Sequence, residues 1–586
     1  AISADGKRAV VLSTNADGNA VVTMFNTNTG ARVGDETVLE GSSDGTVQFN
    51  PTSTRAVVVT NDANSGNGLV SVFSTATGAQ IGTTIDLGGG YSSYSLYAGS
   101  GPQFGGGGGA QFTSDGTRGL FVASSSVTDD ATEQTTSTSY VHLINLVTGT
   151  DLFTASTQGL TRGILSTDGT VASISTIPDQ SVYSTETVSG DTTSTTVDYS
   201  LASTTMTFIS TATGTQIGST RQVTGLAQVG LNTDGSRAVI SALTGALGAK
   251  ANTITVVDTA TGTQVGSGVT FSGTSPMQLL MTPDGGHAVV TLMALDFSGA
   301  AGSNVYESSV AVIDMATGNQ TGSTFTTTGA PESYSTSNQL VIGVQLVARG
   351  TRALLVTVGP ASPGSTTVVS NIALIDTTTG LQVGQTVTTP GMASAVMSAD
   401  DMHVELSSMN VTYTFDANGA ITGGSYSWPP IIVLDAVSGS STSVTVPGYA
   451  GGAALNSDGS RTAAVLMNGT NLSVTTFDTA TGTQVGAPVT IGDLGAASTT
   501  PYLAPPVSIY GDYIVMRIQG DSANNVAFID VNTGTQVGTT VGVDGQVITN
   551  DEGDPVQNLF TDGTHAVVFT VDPDGTDTAV TLLSLT

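Results

Sequence analysis

Short stretches in which apolar and polar residues alternate, rich in Val, Ile and Thr, run the length of the chain, and no segment keeps a helical period. Thr253-Ile-Thr-Val-Val257 is typical of these predicted strands. Two turn signatures recur between them. In the first, a Gly stands four residues after Asp, Asn or Ser: Asn26/Gly30, Ser74/Gly78, Asn145/Gly149, Ser210/Gly214, Asp258/Gly262, Asp314/Gly318, Asp376/Gly380, Asp435/Gly439, Asp478/Gly482 and Asp530/Gly534. The short polar side chain can bond backbone two residues on, and Gly supplies the positive φ that a tight hairpin ending in a bulge requires. The second signature is an Asp-Gly turn, seen in Met281-Thr-Pro-Asp-Gly-Gly-His-Ala-Val-Val290 and again at 5–6, 115–116, 168–169, 234–235, 458–459 and 562–563. Degenerate forms lie near Pro51, Gly350, Asp400 and Gly511. Together they mark eleven units of about 53 residues in a chain of 586.

Each unit predicts four strands: one before the Asp-Gly turn (Leu279–Met281), one after it (Ala288–Thr291), an alternating third, and a fourth such as 263–266. Four antiparallel strands repeated at this spacing predict an all-β chain, a β-propeller of about eleven blades. A solenoid would repeat faster and without hairpins, and an immunoglobulin-like array would be longer with Greek-key connections. Residues 1–586 read as one continuous blade array. Continuity favours one large ring over two rings of six and five, for which the crossing would fall at Thr327–Gln339. The chain opens at Ala1-Ile-Ser as the tail of a first strand and closes at Leu582–Thr586 as a third. It therefore reads as part of a longer protein.

Arg55-Ala-Val-Val-Val-Thr-Asn61 followed by Val70-Ser-Val-Phe-Ser-Thr-Ala-Thr-Gly78 resembles the YVTN repeat of the YncE-like β-propeller family. The resemblance implies four-stranded blades in a secreted or cell-surface protein. The chain departs from the family in blade number, in its longer units, and in having Ala or Gly where the signature has Tyr. Related propellers include lactonase-like and quinoprotein-like enzymes, but the resemblance carries over no catalytic residue. One Trp and no Cys exclude the tryptophan docking motifs and vicinal disulfide of the quinoprotein dehydrogenases.

Composition narrows the functional classes. Thirteen basic against forty-five acidic residues give a net charge of −32, which argues against nucleic acid and anionic membranes as partners. The absence of Cys excludes disulfides, thiol catalysis and thiolate metal sites. No apolar run approaches the ~20 residues of a membrane-spanning helix. In an antiparallel meander the first and third connections share one end of the strands, and the second and fourth share the other. The first set scarcely varies, whereas the insertions fall in the second set: Tyr91–Gly109, Ser125–Ser139, Thr176–Ser200, Asp296–Ser308, Thr327–Gln339, Ser408–Pro430, Ile491–Pro505 and Asp544–Pro555. These eight contain acids but no Lys or Arg. Long loops on a rigid scaffold are where binding concentrates. The acidity suits either a basic or cationic partner or the solubility of a Thr/Gly-rich surface.

Few side chains offer catalysis. His287, His403 and His565 occupy the position filled elsewhere by Arg8, Arg55, Arg118, Arg237, Arg352 and Arg461, with Val171 and Tyr513 the exceptions. A repeated position implies a repeated structural task, a bond or ion pair to a neighbouring turn. His142, mid-strand, reads as packed or channel-lining. Two insertions hold aromatic rings in a Gly/Ser matrix, the composition of adaptable binding loops. One carries Tyr91, Tyr94, Tyr97 and Phe104, and the other Tyr413, Phe415, Tyr426 and Trp428. These rings either grip a sugar or protein partner or fold back over the blades. Oxygen ligands for calcium gather at Asp551 and Asp554 and at Asp572, Asp574 and Asp577, without EF-hand spacing. No cofactor other than calcium is suggested. The expected function is a non-catalytic extracellular or envelope-associated interaction module with a protein or glycan partner on its loop face. The alternative is a lactonase- or hydrolase-type enzyme using carboxylates and calcium.

Overall fold

The computed structural model describes residues 1–91, 110–129, 134–189, 192–296, 305–331, 333–336, 339–342, 344–361, 367–398, 400–415, 421–446, 449–468, 471–493, 508–510, 512–519, 524–543, 559–561, 565–571 and 578–584. Among them the chain forms eleven successive antiparallel sheets and two separate two-stranded hairpins. The fold class is all-β, of the β-propeller type. The fifth blade shows the plan: Leu226–Leu231, Arg237–Thr244, Ala251–Asp258 and Gln264–Ser272, paired in sequence order. The first sheet has three strands, extended by single bridges from Ile2 to Ala9 and from Phe25 to Arg32, and the last described sheet also has three. The fourth strands run longer than the sequence pattern implies, because a break in register between Ile254 and Val256 lets Gln264–Ser272 continue past Gly266.

Two compact units divide the chain. The first comprises Ala1–Ala294, Ser309–Thr324 and Thr377–Gly380, and the second Leu295–Ser308, Phe325–Asp376 and Leu381–Thr586. Within each, the alternating strands bury both faces against the sheets before and after. In the first unit, Val10, Val22 and Met24 of blade one meet Ala56, Val58 and Phe73 of blade two. Val57, Val59, Val70 and Val72 on the other face of blade two meet Phe121, Ala123 and Ile144 of blade three. In the second unit, Leu354, Val356, Ile372 and Leu374 meet Ala395, Val404, Leu406 and Leu434. Each Val, Leu, Ile, Met or Phe among them contributes about 1.5–3 kcal/mol by leaving water.

Both ends of the blades are stapled. At the constant end, the Thr after the Asp of the hairpin turn donates to the Asp-Gly turn of its own blade: Thr259 to the Gly235 carbonyl and Thr479 to that of Gly459, each at 2.7 Å. The backbone repeats the tie, with the Thr259 amide donating to Ser236 at 3.1 Å. The first and third turns therefore lie side by side, as the meander requires. At the other end, buried Thr204 donates to the Gly225 carbonyl at 2.7 Å and accepts from the Ala227 amide at 2.9 Å, joining blade four to blade five. Ser370 does the same with Gly391 and Ala393. Thr204→Val keeps the shape and strands both backbone groups. It is expected to cost about 2 kcal/mol, read as a lowered urea midpoint with unchanged slope.

Candidate binding face

The repeated basic position resolves into one rule at the constant end. Where the hairpin turn begins with Asp, the base pairs with that Asp inside its own blade: Arg237 with Asp258, Arg352 with Asp376 at 2.7 Å and Arg461 with Asp478 at 2.7 Å. His287 and His403 help hold the carboxyls of Asp314 and Asp435 below the usual range, an effect led at Asp435 by the Ser438 amide and at Asp314 by that of Thr317, against the opposing effect of burial. Where Asn26 or Ser74 stands instead, the arginine turns to the next blade. Arg8 Nε donates to the Thr75 carbonyl at 2.7 Å and Arg55 Nε to that of Leu146 at 2.9 Å. Blade four, with Val171 for the base, has Ser210 for the acid. Arg118, beside Asn145, lies instead 3.8 Å from Asp115 of its own Asp-Gly turn. The repeated base is thus a turn brace.

His142 is buried on the third strand of blade three, and its Nδ1 lies 3.1 Å from Asp151 Oδ1 on the fourth. It is packed in the sheet and paired. Among the described residues no group of three or more His, Cys, Asp or Glu is placed to hold a metal ion. Asp551, Asp554, Asp572, Asp574 and Asp577 lie outside the described residues, as do Tyr94, Tyr97 and Phe104.

Tyr91 folds back onto its blade. Its ring lies 6.5 Å from that of Phe121, tilted by 49°, and its hydroxyl accepts from the Ala110 amide at 2.7 Å. Burial pushes its phenol up to about 12, against the opposing Ala110 bond. That bond ties Tyr91 to Ala110 across the sequence between them. Trp428 is partly buried against Ile431, Val444, Ala453 and Phe477, over the contact between blades eight and nine. Tyr426 sits in the strand Ile421–Ser427, which pairs with an extension of His403–Phe415, in register with Val411.

The other end of the blades carries structured insertions. Blade three extends its second and third strands into the long hairpin Arg118–Asp129 and Gln134–Asn145. Blade four inserts between its second and third strands two single turns of 3-10 helix, Gln180–Val182 and Tyr199–Leu201, around the hairpin Ser184–Ser189/Thr192–Val197. This insertion shares a core with blade five: its Tyr199 and Ala202 pack on Leu226 and Leu243, with the Tyr183 ring tilted 5.9 Å from that of Tyr199. It docks on the blade-five loop through three bonds: Leu247 amide to Val197 carbonyl, Tyr199 amide to Gly245 carbonyl, and Gly245 amide to Ser200 Oγ. Val182, Leu201 and Leu247 remain exposed around that junction. Two of the insertion's acids serve the scaffold. Asp179 accepts from the Ser137 amide at 3.1 Å, and Asp198 caps Ser200 at 2.9 Å. Lys250, in the blade-five loop, brings a positive charge to this end, its ammonium lowered from the ordinary value by burial.

Sequence reasoning missed one titratable group, the buried Glu405 on the second strand of blade eight. Lining up the residues two positions after the repeated base would have found it. That series is Val10, Val57, Leu120, Ser173, Val239, Val289, Leu354, Glu405, Ala463, Val515 and Val567.

No protein-family model matches the chain, and no curated protein matches it. Solved structures do. A eukaryotic initiation factor aligns over 82% of this chain and 96% of its own at 11% identity, with a TM-score of 0.42. The β-propeller domain of the trilobed protease from Pyrococcus furiosus aligns over 65% and 97% at 10% identity, TM-score 0.25. TolB from Acinetobacter baumannii aligns over 63% and 80% at 13% identity, TM-score 0.21. Among the described residues no helix is long and apolar enough to cross a membrane.

Proposed function

We propose that this chain is a non-catalytic interaction module, a YVTN-type propeller array working outside the cell or on its surface, which holds a protein or glycan partner on the insertion-bearing end of its blades. The observation that carries this reading is the contrast between the two ends. One repeats the same braced turns from blade to blade. The other carries an insertion packed on the next blade through Tyr199, Ala202, Leu226 and Leu243, and Val182, Leu201 and Leu247 stay in solvent there. Conformational entropy has been spent on fixing these groups, which lowers the cost of ordering them when a partner binds.

The test is binding of the full chain to a panel of cell-surface glycans and extracellular proteins, repeated with Val182, Leu201 and Leu247 all changed to Ser. Loss of roughly tenfold or more in affinity with an unchanged melting temperature is the expected result. Equal binding by both proteins, or binding by neither, removes the reading. A parallel melt in EDTA addresses the calcium-dependent hydrolase. The midpoint is expected to stay where it is, and a drop of many degrees would favour the enzyme.

A further inference from the structure

Glu405 breaks the rule of its position. In ten of the eleven units the residue two places after the repeated base is apolar or, once, Ser173, and here it is a carboxylic acid with no exposed surface. Val404 and Leu406 point toward blade seven, so His403, Glu405 and Ser407 face blade nine. On that face Glu405 lies between Val396 of the first strand and Val433 of the third. Neither carboxyl oxygen has a hydrogen-bond partner. The Ser407 hydroxyl, bonded to Ser394 at 3.0 Å, opposes the effect of burial only in part, and the acid is pushed up to about 8 from an ordinary 4.5. Among the described residues, the titratable or charged groups on the elements packed here are few. They are His403 and Tyr413 on the same strand, Asp435 across from His403, Tyr449 on the first strand of blade nine, and Asp458 and Arg461 in the blade-nine turn whose Gly459 abuts the His403 ring. Arg461 is already paired with Asp478. Among the described residues no positive charge acts on the Glu405 carboxyl.

We propose that Glu405 is a proton latch on the contact between blades eight and nine: the two blades close over the neutral acid, and losing its proton to solvent loosens them. An exposed Glu ionises near 4.5, and the closed contact holds the proton to about 8. The folded form therefore binds more protons than the opened one between those values. Its stability is complete below the lower value and is lost progressively up to the upper one. A charge with neither water nor partner opens the contact instead of staying buried.

Hydrogen exchange of the intact chain, corrected for intrinsic rates, tests this at about pH 5.5 and about pH 7.5. Peptides from 403–408 and 449–455 are expected to open about a hundredfold more at the higher pH, tenfold for each unit. Peptides from 287–292 provide the control, because His287 fills the same position as His403 with Val289 in place of the acid. They are expected to show no such rise, which separates the acid from the histidine. In Glu405→Gln the rise should vanish. Glu405→Val, which restores the residue of blades one, two, five and six, should likewise be flat and guards against a Gln variant that does not fold. An equal rise in either folded variant, an equal rise at 287–292, or none in the parent overturns the proposal.

Discussion

Alanine at Gly318 is expected to destabilise the first unit by about 3–5 kcal/mol, whereas alanine at Gly262, the same position one blade earlier, should cost about 1–2 kcal/mol. Both glycines end the hairpin turn at nearly the same φ, +69° and +70°. A Cβ at either pays for the left-handed conformation. At Gly262 nothing else lies within 4 Å, but at Gly318 the new atom would sit 1.9 Å from the Val265 carbonyl oxygen, on the fourth strand of blade five. Backbone cannot rotate away as a side chain can, so two blades must separate. Urea denaturation of both variants checks the difference. Equal costs would mean that φ alone keeps Gly in the turn.

That contrast also shows what the repeat conceals when it is read as a string. The turn glycine was legible as a demand for positive φ, and the structure meets that demand. Its second task, close approach to the Gly of the Thr-Gln-Val-Gly strand in the preceding blade, joins residues about 50 apart and leaves no local pattern. The base after the Asp-Gly turn was legible as structural. Its partner was not, because pairing requires knowing that the first and third turns adjoin. Once they do, Arg237 is seen to pair with Asp258, while Arg8, with Asn26 in place of the acid, reaches the next blade. In blades three and four the insertion falls between the second and third strands, as the meander rule expects, since connection length is a property of sequence. The orientation of Tyr91 was not legible: a Tyr in a Gly/Ser segment carries no period, and only the Phe121 ring decides that it turns inward. Glu405 was legible in principle, by comparing units column by column.

Phe121→Ala is expected to cost about 3–5 kcal/mol and to release Tyr91. Phe121 has no exposed surface and lies among Val57, Val59, Val70, Val72, Ile144 and Leu146, where blades two and three meet. Its ring also contacts Tyr91 at 6.5 Å and Phe112 edge-on at 6.3 Å. The cavity left by truncation is walled by strands on both sides and cannot collapse without moving a blade. Tyr91 loses the surface that keeps its phenol from water, so its titration should fall from about 12 toward the ordinary 10. A difference titration against Tyr91→Phe, itself expected to cost only about 1 kcal/mol for the lost Ala110 bond, isolates this phenol from the other tyrosines. A group with a raised value stabilises the fold below the ordinary value and ceases to do so above the raised one, so the parent should lose more stability between about pH 10 and about pH 12 than Tyr91→Phe, in which only the other buried phenols, Tyr183 and Tyr199, still contribute. If Phe121→Ala leaves the phenol at about 12, the Ala110 hydrogen bond and the rest of the cluster hold Tyr91 without the Phe121 ring.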